Sequence, residues 1–192
     1  MLIYIHGLNS SSRSSKAGLL RERMTALGRA ADYACPDLPH RPQRAFEMLE
    51  ALITGGRGPV ALVGSSLGGY YATCLAERHG VRAVLVNPAV QPYEGLRALL
   101  GPQQNFHTGE RYELTQAHLD ELADMEVATI TRPERYLLMV QTGDEVLDYR
   151  QAVERYRGCR QRVIEGGDHG FSDFTDYLEP VLEFCAVMPL NQ

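Results

Sequence analysis

The chain is 192 residues long, 44% hydrophobic and 22% charged, which suits one soluble globular domain with a well-buried core. Its net charge of −5, with no sustained basic run, gives no nucleic-acid footprint, and no apolar stretch approaches the length of a membrane span. MLIYIHG at the N-terminus lacks the features of a signal peptide, and Cys35, Cys74, Cys159 and Cys185 form no CxxC pair, so the expectation is a cytoplasmic protein with reduced thiols.

Leu2 to Ile5 is a short apolar run ending at His6-Gly7, the signature of a buried parallel strand. A serine-rich loop follows, and Ser14 or Ser15 can cap a helix from Lys16 to Leu27 with Leu19, Leu20, Met24 and Leu27 on one face. A second strand is expected at about 32–35, then a proline-rich rim loop, Pro36 to Pro42. Gln43 to Thr54 reads as an amphipathic helix. Val60 to Val63 is the next strand, and a helix is expected from Tyr70 to His79. Arg82 to Asn87 closes this first set of alternating elements, which argues for a mainly parallel sheet with helices on both faces.

Residues 88–132 carry no clear strand. Tyr93 to Leu100 and Thr115 to Glu126 have helical character, so a short helical insertion is expected before the next strand. It either folds over the site as a lid or supports the sheet as a peripheral helix pair. Alternation resumes with a strand at 135–142, a helix near 149–156, a strand at 161–165 and a last helix from about Ser172 to before Pro189. Pro180 marks a possible bend in that helix. The whole of 1–192 is read as one domain.

The chemistry gathers at the carboxyl ends of these strands, where open parallel sheets collect functional groups. Gly64-Ser65-Ser66-Leu67-Gly68 fits G-x-S-x-G between a strand and a helix, the geometry that exposes a serine hydroxyl at a sharp turn. Ser65 competes with Ser66, but only Ser66 has glycines two residues to either side. In the chain order serine, acid, histidine, His169 is the one histidine beyond every strand-end acid, and is expected to act as general base. Asp144 is the expected acid, with Glu145, Asp148 and Asp168 as rivals. For the oxyanion hole, the expected donors are the Leu67 amide and the Leu8 amide, with Gly7 as the alternative. His6 is read as a brace for that loop. Tyr70, Tyr93 and Phe106 are weaker candidates for lining a substrate pocket, as are Tyr71 and Tyr112. No histidine pair has metal-ligand spacing, so no metal is expected. GSSLGG also lacks the ending of a phosphate-binding loop.

The segments IHGLNSS, VGSSLGGYYAT, VNPAV, QTGDEVLDYRQA and GGDHGF together resemble the YqiA-like esterases, a small branch of the α/β-hydrolases. That resemblance covers nearly the whole chain. It implies a compact α/β-hydrolase fold and a triad on Ser66, Asp144 and His169. It also implies hydrolysis of carboxylic esters, with acyl-CoA thioesters as a further class, and no cofactor. The expected partner is therefore a small acyl ester or thioester. Two other readings stand beside it: a non-catalytic ligand- or partner-binding protein on the same fold, and an acyltransferase using the same triad. Acyl-chain length and oligomeric state do not follow from the sequence.

Overall fold

The computed structural model describes residues 1–56 and 58–186. In chain order, β1 (Leu2–Ile5) leads to α1 (Ser15–Ala26), β2 (Tyr33–Ala34), α2 (Pro42–Gly55), β3 (Ala61–Ser65), α3 (Leu67–His79) and β4 (Arg82–Val86). A short helix, α4 (Pro92–Gly95), then precedes a hairpin of β5 (Gly101–Gln104) and β6 (Arg111–Leu114), followed by α5 (Gln116–Asp124). The chain finishes with β7 (Tyr136–Gln141), α6 (Tyr149–Arg155), β8 (Arg160–Ile164) and α7 (Leu178–Phe184).

Six strands make one sheet in the order β2-β1-β3-β4-β7-β8, every pair parallel. Alternation of side chains along each strand divides the core in two. Leu2, Tyr4, Val63, Val84, Val86 and Met139 pack on one face with Leu20 and Met24 of α1 and Val181 and Leu182 of α7. Ile3, Ile5, Leu62, Leu85, Leu138 and Val140 pack on the other, against α2, α3 and α6. Each fully buried aliphatic side chain contributes roughly 1.5–3 kcal/mol. Burial on both faces explains why these strands read as continuous apolar runs rather than alternating ones.

This topology places the site. From β1 the chain steps to β2 on one side, then crosses back to β3 on the other, and such a reversal opens a crevice at the carboxyl ends of the two strands. The loop after β1 carries Gly7 and Leu8, and the turn after β3 carries Ser66.

The expected parallel sheet is found, with α3 beginning at Leu67 rather than Tyr70. The helix expected over Tyr93 to Leu100 is only the short α4 and a 3-10 turn, Leu96–Leu99, and the last helix begins at Leu178 rather than Ser172, after a 3-10 turn at Phe174–Tyr177. Two further expectations are corrected. The excursion after β4 contains a strand pair, with Gly101 opposite Leu114 and Gln104 opposite Arg111. The sequences GPQQ and RYEL lack β-branched residues, and their ladder is separate from the main sheet, so no apolar run announces them. Instead the turn closes it: Asn105 Oδ1 accepts the His107 and Thr108 amides at 2.9 Å each, and Gly109 adopts a φ of 77°. Pro180 does not bend α7. It stands in the first turn, where its missing N–H leaves no bond unmade. The expected end of that helix before Pro189 falls outside the described residues. Among those described, no helix is long and apolar enough to cross a membrane.

Candidate active site

At the end of β3, Ser66 has φ 55° and ψ −122°, a conformation that costs a non-glycine residue on the order of 1–3 kcal/mol. The surrounding backbone holds it there. The Ser66 amide donates to Val86 O at 3.1 Å, while its carbonyl accepts the Gly69 amide at 2.9 Å and the Ala89 amide at 3.1 Å. Close packing explains the flanking glycines: a Cβ on Gly64 would lie 2.2 Å from Gly68 O, and one on Gly68 would lie 2.0 Å from Ile5 O. With Cβ atoms excluded at both positions, α3 packs directly against β1 and β3, and the turn between is sharp enough to expose Ser66.

His169 stands in the loop after β8. Its Nε2 is 3.1 Å from Ser66 Oγ, and its Nδ1 is 2.9 Å from Asp144 Oδ2 and 3.0 Å from Oδ1. The Asp144 side chain is only 2% exposed. Burial pushes its carboxyl pKa up, but the His169 hydrogen bond and the amides of Leu147 and Val146, each 2.8 Å from Oδ1, outweigh that and hold it below the ordinary value. An ionised Asp144 requires the proton on Nδ1, which leaves Nε2 as the acceptor for the Ser66 hydroxyl. The rival acids are used otherwise. Glu145 accepts the His169 backbone amide at 3.0 Å, and Asp148 caps α6 through the Arg150 amide at 3.1 Å. The Asp168 carbonyl accepts the Phe171 amide at 3.1 Å in the turn that carries His169.

Gly7 lies against the nucleophile, since a Cβ there would be 3.2 Å from Ser66 Cβ. His6 is buried beneath it. Burial lowers the imidazole pKa and favours the neutral ring. Its Nε2 accepts the Leu38 amide at 3.1 Å, so Nδ1 carries the hydrogen and donates to Gly7 O at 2.9 Å. A trans peptide sets its C=O and N–H on opposite sides. The Gly7 carbonyl faces the His6 ring, and the Leu8 N–H of the same peptide therefore points away from it. Leu8 and Leu67 both line the cleft that contains Ser66.

That cleft encloses about 870 Å³. Ala89, Val90, Leu96, Leu99, Phe106 and Val146 give it an apolar wall, drawn mainly from the excursion between β4 and β7. The hairpin is fastened to the loop after β1: Asn105 Nδ2 donates to Ser10 O at 2.8 Å, and Tyr112 Oη donates to Asn9 Oδ1 at 2.9 Å. Of the aromatic candidates, Phe106 lines the cleft at its rim and is 86% exposed. Tyr70 lies in the core, its hydroxyl donating to Leu122 O, and Tyr93 donates to Glu126 Oε2 at 2.7 Å. Neither is among the residues lining the cleft.

Asn87 and Gln141, neither of them a candidate from the sequence, hold the histidine loop. Asn87, at the end of β4, donates from Nδ2 to the Asp168 and His169 carbonyls at 3.0 and 3.2 Å, and its Oδ1 accepts the Gln141 amide at 3.0 Å. Gln141, fully buried, accepts the Asp168 amide on Oε1 at 2.9 Å and donates from Nε2 to Asp173 at 2.6 Å. An asparagine ending a buried apolar strand is the one local signal of this, and it does not say what the side chain reaches.

The serine, the aspartate and the histidine thus meet beyond the carboxyl ends of β3, β7 and β8. The model of the uncharacterised protein family UPF0227, to which the YqiA-like proteins belong, matches residues 1–186. The chain belongs to UPF0227. Among relatives in the family, the UPF0227 protein YcfP of Salmonella paratyphi A is 23% identical over 192 residues, covering 96% of this chain and 98% of its own. Solved structures share the α/β-hydrolase fold. One from Agrobacterium vitis S4, provisionally described as a hydrolase, has a TM-score of 0.75 at 19% identity and covers 95% of this chain and 86% of that one. Est1E of Butyrivibrio proteoclasticus, solved with ferulic acid bound, has a TM-score of 0.70 at 16% identity and covers 97% and 88%.

Proposed function

We propose that the protein is a serine hydrolase of carboxylic esters, with acyl-CoA thioesters as a further substrate class. The observation that carries this reading is the continuous relay from Ser66 Oγ through His169, 3.1 Å on one side and 2.9 Å on the other, to a buried aspartate. Ser66 Oγ attacks the acyl carbonyl while its proton passes to His169 Nε2. The C–O bond of the ester then breaks, and His169 returns the proton to the leaving alcohol. Water, deprotonated by the same nitrogen, attacks the acyl-enzyme, and the acid leaves as Ser66 recovers its proton.

Negative charge grows on the former carbonyl oxygen, and the Leu67 and Leu8 amides are the donors that meet it. Leu67 opens α3, where the first amides have no partner within the helix. Asp144 keeps the imidazole in the required tautomer and stabilises it when charged. The apolar wall of the cleft takes the acyl chain. The ferulic acid held by Est1E is a carboxylic acid, the product class of ester hydrolysis, and is in keeping with this reading. The test is hydrolysis of short p-nitrophenyl esters and of acyl-CoAs by the wild-type protein and by Ser66→Ala. The expected result is turnover that collapses in the variant; equal rates would overturn the proposal.

A further inference from the structure

Of the 19 lysine and arginine residues in the chain, a single one is lysine, and it lines the catalytic cleft. Lys16 stands in the first turn of α1, where a helix dipole disfavours a cation. Its Nζ donates to the carbonyl of Gly170, the residue after His169. Burial pushes the ammonium pKa down to about 8, with Asp168 opposing the shift from a distance. Among the described residues it takes part in no ion pair, Asp168 included. An ammonium carries three donors, and one contact to a carbonyl leaves two directed elsewhere.

A second observation lies beside the first and is independent of it. Ser14 holds the N-cap position of α1, yet its hydroxyl makes no cap hydrogen bond. Ser14 Oγ is buried and lines the same cleft, with the Tyr4 hydroxyl as its neighbour but no well-aligned hydrogen bond between them. A half-desolvated ammonium without a counter-charge is costly to hold, and a buried hydroxyl short of a well-formed hydrogen bond adds to that. An anionic oxygen within reach of the ammonium relieves the first cost, and the hydroxyl turned towards it relieves the second. Glu94 and Asp148 also line the cleft, but neither forms an ion pair with Lys16, and the rest of the wall from the excursion is mainly apolar.

We propose that Lys16 and Ser14 form an anion subsite within the catalytic cleft, so that the preferred ester carries a carboxylate or phosphate group on its acyl chain or its alcohol. The inference rests on the hydrolase reading for its substrate but not for its ligand. Lysine suits the position because its compact ammonium reaches one carbonyl and one ligand oxygen together, where a guanidinium presents a flat fork. The anion has two possible sources: a carboxylate at the far end of the acyl chain, or a phosphate on the alcohol.

Matched ester pairs separate them: p-nitrophenyl hexanoate against the p-nitrophenyl monoester of adipate, and butyrylglycerol against butyrylglycerol phosphate. The expected result is a kcat/KM ratio of anionic to neutral ester of about tenfold in one pair, falling towards one in Lys16→Met and kept in part by Lys16→Arg. The pair that shows the preference identifies the source. Wild-type ratios near one in both pairs, or a ratio unchanged in Lys16→Met, would overturn the proposal. A second readout does not need turnover. In Ser66→Ala labelled with carbon-13 at lysine Cε, the chain gives one lysine signal. Adipate or glycerol phosphate should raise its titration midpoint; no shift with either would overturn the subsite. A shift in Ser66→Ala alongside a wild-type protein that hydrolyses no ester would support the subsite and sink the hydrolase reading alone.

Discussion

Replacing Asn87 with alanine tests how the histidine loop is held. The side chain is 2% exposed and makes three hydrogen bonds, two donated to the Asp168 and His169 carbonyls and one accepted from the Gln141 amide. Truncation leaves the buried Gln141 amide and the two partly buried carbonyls without this partner, at roughly 1–3 kcal/mol for each group that stays unsatisfied. Water entering the vacated space meets part of that demand, which leaves about 2–4 kcal/mol. Asn87 also has a φ of 40°, which alanine tolerates less well, by about 1 kcal/mol. The expected loss is therefore about 3–5 kcal/mol, a large share of a typical stability of about 5–15 kcal/mol but short of unfolding the chain. Urea unfolding of Asn87→Ala and Asn87→Gly measures it, and glycine should recover about 1 kcal/mol by relieving the backbone. With the loop unanchored, kcat on an ester should fall further than KM rises. An alanine variant within 1 kcal/mol of wild type and with full kcat would refute the reasoning.

Three more outcomes follow from the same geometry. His6→Ala removes the hydrogen bond that turns the Gly7–Leu8 peptide, so steady-state kinetics should give a kcat lowered roughly ten- to hundredfold with KM little changed, the mark of a lost oxyanion donor. The Asp144 carboxyl has a folded-state pKa below its unfolded one, so its contribution to stability is present above the unfolded value and is lost as pH falls through the folded value. Thermal melts from pH 6 to pH 3 should therefore fall less steeply for Asp144→Asn than for wild type. Glycine to alanine should change sign with position. Gly18 lies inside α1 with nothing within 4 Å of an added Cβ, so Gly18→Ala should stabilise by about 0.5–1 kcal/mol. Gly68→Ala forces a Cβ to within 2.0 Å of Ile5 O, and should destabilise by about 3 kcal/mol or more in the same denaturant titration.

The parts of this site that the sequence made legible are those with a local signal. Gly64 and Gly68 bracket Ser66 within five residues, Asp144 follows the apolar strand YLLMVQ, and His169 comes after it in the required chain order, between glycines. That spacing placed them on strand ends, and the fold brought the three together. The legible helices and strands have the same origin, because burial on both faces of the sheet writes itself as uninterrupted apolar runs. Where contacts are long-range and polar, no such mark exists. Asn87 reaches a loop more than eighty residues away, and only the packed sheet makes them neighbours. The hairpin is held by Asn105 and by contacts to Asn9 and Ser10 rather than by an apolar face, so GPQQ and RYEL carry no period to read. That Tyr70 lies in the core and not in the cleft wall escapes the sequence for a related reason: an aromatic residue just after an elbow is signalled as buried, but burial does not distinguish a cleft wall from a core. Lys16 looked like an ordinary helix residue until the fold set it beside Gly170.

If His169 and Asp144 make Ser66 a nucleophile, a fluorophosphonate probe will find it, because an activated serine displaces the fluoride and keeps the phosphonyl group, which peptide mass spectrometry then locates. A single adduct is expected, on Ser66, formed far more slowly in His169→Ala. An unlabelled wild-type protein, or labelling of Ser66 at the same rate without His169, would contradict it.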